Sequence, residues 1–160
     1  MAYASHMPSG LEEKARALAD AQTEQSIDVD AERKWWIDTV DELYTQVSGW
    51  LRDLEKKKLV EISRTRIRLS EEHLGPYGID ALVLTFGPAA VVLRPMGRLI
   101  VGALGRLDMY RRGRRSDRPI MLILGGSKAA PQWRLWPSRD PRDAEALDAE
   151  SFKAAVEALL

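Results

Sequence analysis

The residue types best suited to chemistry cluster at Glu71-Glu72-His73. A carboxylate beside an imidazole can form a general base or part of a metal site. The only other histidine is His6, and the chain has no cysteine, so no trusted metal-ligand spacing is met. A solvated charge cluster at a strand end, beside the Gly75-Pro76 turn, accounts for these residues better. Gly97, Gly102 and Gly105 do not follow the dinucleotide pattern, and no helix follows them. Gly125-Gly126-Ser127-Lys128 lacks the opening glycine of a phosphate loop and leads into a strand, so no helix dipole faces an anion. There is no Gly-x-Ser-x-Gly elbow. Asp108, alone in an apolar strand, must face solvent or meet an arginine, and it shares parity with Arg106 and Arg98. No catalytic residue, metal ligand or cofactor is assigned, and the chain does not read as an enzyme.

Binding chemistry is better represented. Arg64, Arg66 and Arg68 alternate with Thr65, Ile67 and Leu69, which places three guanidinium groups on one face of a strand about 6.6 Å apart. Arg111, Arg112, Arg114 and Arg115 form a basic turn. Such a row and turn suit an acidic protein surface or a nucleic-acid backbone. The overall pI of about 6.8 argues against a dedicated nucleic-acid binder. Of the five tryptophans, Trp35 and Trp36 lie on adjacent helix faces, and Trp133 and Trp136 lie on opposite faces of a strand. Trp136 is the expected docking aromatic on an exposed edge.

These residues need elements to hold them. The 160 residues suit a single domain. Zero net charge hides a segregation. Residues 1–58 carry 8 cations and 12 acids, for −4; residues 59–139 carry 14 and 6, for +8; residues 140–160 carry 2 and 6, for −4. Ser5-His6-Met7 reads as a cloning-site remnant, so residues 1–9 are set apart from the domain at 10–160. No secretory signal is visible, and the apolar runs are too short to span a bilayer, so a cytoplasmic, bacterial-type protein is expected.

Residues 10–58 read as helical. A thin stripe of Leu11, Ala15 and Leu18 marks a first helix, which Ser26–Asp30 is expected to break. Trp36, Val40, Leu43, Val47, Trp50 and Leu54 then recur at spacings of four and three, one stripe of a long helix. After Lys58 the period falls to two, and residues 59–137 read as about six strands without helical crossovers, hence antiparallel. Glycines 102 and 105 predict a bulge or bend between Arg98 and Tyr110. Pro131 and Pro137 predict a sheet edge for the strand between them. Asp140–Asp148 reads as a linker. Asp148 caps a final helix over 148–160, with Leu147 and Phe152 as its hydrophobic staple.

The fold class is therefore α+β: N-terminal helices, a curved, mostly antiparallel sheet and a C-terminal helix packed on it. A partly closed barrel would read the same way. The function expected is a non-catalytic macromolecular binding protein of inhibitor or immunity type, acting on a protein partner. The alternatives are nucleic-acid binding through the basic sheet face, and a ligand carrier or enzyme with a cavity between sheet and helices. No membrane partner is expected. A homodimer through the Trp36–Trp50 stripe or the Trp133 edge is the remaining option.

Overall fold

The computed structural model describes residues 9–98, 102–114 and 119–160. The proposed remnant (apart from Ser9), Leu99, Val101 and Arg115 lie outside them. Helix α1 runs unbroken over Gly10–Trp50, and a short α2 follows at Arg52–Lys56. The expected break at Ser26–Asp30 does not occur. That stretch contains neither glycine nor proline, and its residues cost only a few tenths of a kcal/mol each relative to the best helix formers. Within this continuous helix Asp30 pairs with Arg33. The true cap is Ser9, whose side chain accepts from the Glu12 amide at 3.2 Å.

Six strands of useful length follow in sequence: β1 Glu61–Glu71, β2 Gly75–Phe86, β3 Ala89–Gly97, β4 Gly105–Arg111, β5 Ile120–Gly126 and β6 Pro131–Trp136. A seventh, β7 at Glu145–Ala146, lies in the segment read as a linker. All pair antiparallel in chain order, and the sheet stays open, with β1 and β7 at its two edges. Helix α3 covers Ala149–Leu159 behind a capping box between Asp148 and Ser151. The α+β architecture is as the sequence predicts. The barrel alternative is not adopted.

The core lies between α1 and one sheet face. Trp36, Val40, Leu43 and Val47 are essentially fully buried there against Leu84, Leu93, Leu107 and Leu122, and Phe152 of α3 closes one end. Tyr44 and Leu51 widen the helical stripe beyond its predicted six positions. Val83, Val92 and Met121, of opposite parity, are buried too. That explains why β2, β3 and β5 read as continuous apolar runs rather than alternating ones.

Gly105 has a specific reason. A Cβ there would come within 3.0 Å of three carbons of the Trp36 ring. The six-membered ring of the indole occupies the space a side chain would take at the start of β4. Of the aromatics named for a homodimer, Trp36 is buried in the core, and the half-buried Trp133 packs on it with ring centroids 6.2 Å apart.

Candidate binding surface

β1 is the sheet edge beyond which no strand lies among the described residues. It is also the longest exposed element of the sheet, with seven of its eleven residues exposed. Ile62, Ile67 and Leu69 are its half-buried contacts with the core. Arg64, Arg66 and Arg68 are exposed, as expected, opposite in parity to Ile67 and Leu69; Ile62 shares the arginines' parity, and Arg64 lies across from the buried Leu82 in the register.

Two of the three arginines have carboxylates close by. Arg64 lies 2.7 Å from Asp41 of α1 and 3.6 Å from Asp80 of β2, with its guanidinium 5.2 Å from the centroid of Tyr44. Arg66 sits directly across from Asp80 in the register and pairs with it at 3.2 Å. Arg68 forms no ion pair among the described residues. These pairs are open to solvent, with the arginine side chains 41% and 67% exposed, so each contributes little to stability. They orient the arginines while leaving them free to exchange one carboxylate for another.

The second basic group is elsewhere. β1 runs away from the β2–β3 turn, since Glu61 pairs with Thr85 while Glu71 pairs with Gly75. Arg111 pairs with Val91 beside the β2–β3 turn, so the basic turn and Arg68 occupy opposite ends of the sheet. Arg111 is half-buried and donates to the Leu160 carbonyl at 2.7 Å. Arg112 and Arg114 are exposed on either side of Gly113, which takes a φ of 82°.

Trp136 does not stand on a free edge. β6 is flanked by β7 at Arg134 and Leu135, and Trp136 pairs inward with Met121. It is half-buried, and its indole nitrogen is buried without a hydrogen-bond acceptor among the described residues.

The acid–base candidates are separated. Glu72 and His73 are exposed in the β1–β2 turn. Asp108 is 5% exposed and accepts from Arg106 Nε at 2.7 Å, which meets the predicted arginine partner. None of the three lines any of the described cavities. Among the described residues no group of three or more metal-ligating side chains gathers, and no helix is long and apolar enough to cross a membrane.

One polar cluster went unread in the sequence. Arg98, 6% exposed, bonds Glu32 at 3.0 Å and the Leu104 carbonyl at 2.8 Å. Its guanidinium lies 4.7 Å from the centroid of Trp35, and Lys128 lies 5.3 Å from the same ring and pairs with Glu32. The hydrogen bond from Lys128, with the charge of Arg98, holds the Glu32 carboxyl below its ordinary value despite partial burial. Two cations thus lie within cation–π distance of the Trp35 ring. The Trp35-Trp36 pair was the only signal of it, since its charged members are 96 residues apart. Compared with known proteins, the chain matches no family model, no curated protein and no solved structure.

Proposed function

We propose that this chain is a non-catalytic protein-binding module that receives an extended, acidic segment of a partner along the outer edge of β1. One observation carries the reading: an eleven-residue edge strand, paired with β2 on one side and with no strand on its outer side among the described residues, lined by Arg64, Arg66 and Arg68. An open strand edge offers main-chain donors and acceptors, and the side chains flanking it select the incoming strand. Acidic residues on that strand would meet the arginine row, each cross-strand pair contributing about 0.2–1 kcal/mol. An inhibitor or immunity role, in which one partner is captured and held, is consistent with such a surface.

Nucleic acid fits less well. Asp41 and Asp80 stand among the guanidinium groups and would repel phosphate, and the Arg112–Arg114 turn is at the far end of the sheet. The test is fluorescence anisotropy with a labelled peptide of alternating Glu and Val, about ten residues long to match the strand. Saturable binding is expected, weakened about tenfold or more (about 1.4 kcal/mol per decade) when Arg64, Arg66 and Arg68 are all changed to Glu. Equal binding by the triple variant, or equal binding of the matching Lys-Val peptide, rules the reading out.

A further inference from the structure

The molecule is electrically polarised along α1. This helix crosses the sheet from end to end: Arg33 donates to the Pro76 carbonyl near the β1–β2 turn, Tyr44 bonds the Asp80 carbonyl, and Trp50 rests on Phe152. Residues 10–30 precede that crossing, and nearly all are exposed, so about 30 Å of helix extends beyond the β1–β2 end of the sheet. This arm carries six acids and two cations, for a net charge of −4. Its leucines, Leu11 and Leu18, are 80% and 66% exposed.

The opposite end is basic. Lys56, Lys57 and Lys58 leave α2 beside the β2–β3 turn, where Arg112 and Arg114 also lie, all exposed. Asp53 and Glu55 of α2 and Glu61 at the start of β1 only partly offset these five cations. Two shallow grooves, of about 520 and 370 Å³, meet here and share Thr85 and Gly87. Leu59, 56% exposed, lines the larger one.

The geometry points to a second copy of this chain as the arm's partner: the acidic arm of one molecule docks on the basic end of the next. Charge complementarity and exposed leucines on both surfaces support it. The same arm disfavours pairing with its own kind, because two arms side by side would bring −8 together. Helical stability in proteins comes mostly from packing of a helix face, and the arm is exposed, so contact along it would also stabilise it. Such a head-to-tail contact is heterologous and builds rings or open chains rather than being limited to a two-fold dimer. It leaves the β1 edge free and stands independently of the peptide-binding proposal.

The test is sedimentation velocity of the full chain at about 20 mM and about 0.5 M salt, where the screening length falls to a few ångströms. At low salt the mass is expected to exceed the 18.0 kDa of one chain, and to return to it at high salt. Glu13→Lys/Asp20→Lys/Glu24→Lys reverses the arm, and Lys57→Glu/Arg112→Glu/Arg114→Glu reverses the basic end. All six positions are exposed, and circular dichroism checks that both variants fold. Each variant alone is expected at 18.0 kDa, while an equimolar mixture assembles, because every arm then finds an opposite charge. A wild-type chain that stays at one-chain mass at low salt overturns the inference. So does an arm-reversed variant that assembles as well as wild type, or a mixture that stays unassembled.

Discussion

Trp36 and Gly105 form the tightest residue-level constraint. Replacing Gly105 by Val places a branched side chain where the indole now lies, and overpacking of this kind costs about 1–3 kcal/mol or more. Gly49 is the contrasting case: it is exposed in α1, and a Cβ there would meet nothing within 4 Å. Gly49→Ala should therefore stabilise by about 0.5–1 kcal/mol, the ordinary helical penalty of glycine. Urea midpoints of the two variants should move in opposite directions. Two phenols supply a pH test. Burial pushes Tyr44 well above the ordinary tyrosine range, only partly opposed by the charge of Arg64, and burial with a hydrogen bond to Glu71 does the same to Tyr77. Both keep their protons in the folded state while the unfolded chain ionises near pH 10. Their contribution is therefore complete below that pH and lost as pH rises above it. The urea midpoint should fall above about pH 10, and fall less steeply in Tyr44→Phe/Tyr77→Phe.

At the scale of elements, α1 is one helix with two environments. Its C-terminal half holds Trp36, Val40, Leu43 and Val47 at 0–1% exposure, whereas its first twenty residues make no core contact. Local opening free energy follows burial. Amides of residues 36–50 should therefore exchange with the global unfolding of the protein, and those of 12–26 orders of magnitude faster. Uniform protection along the helix of a dilute sample at high salt would contradict this division. The sheet shows the complementary effect. β7 is only two residues long, yet it flanks β6 at Arg134 and Leu135 and takes the edge position that the prolines of β6 suggested, leaving β1 as the long open edge.

For the whole molecule, one hydrophobic cluster joins α1, six strands and α3. Tryptophan fluorescence, from Trp36, Trp50 and Trp133 within or against that cluster, should therefore lose its folded signal in the same urea transition as the sheet's circular dichroism. Two separate transitions would show that the helices and the sheet do not share one cooperative core. The charge distribution also acts at this scale: acidic arm, neutral middle and basic end are ordered along one axis. Association should accordingly depend on salt far more than the stability of the core does.

Sequence alone determined the elements whose evidence is periodic and local. The stripe from Trp36 to Trp50, the switch to period two after Lys58, the exposed parity of Arg64, Arg66 and Arg68, and the cap at Asp148 each follow from neighbours a few residues apart. Tertiary structure decided what depends on distant partners. It set Asp41 and Asp80 beside the arginine row, put Gly105 under Trp36, and brought Glu32 to Lys128. It also carried α1 through Ser26–Asp30, because propensity there is weak and a neighbouring packed helix is enough to extend it. Hydrophobic spacing records which side of an element turns inward, while the identity of the group it meets there depends on how the whole chain closes.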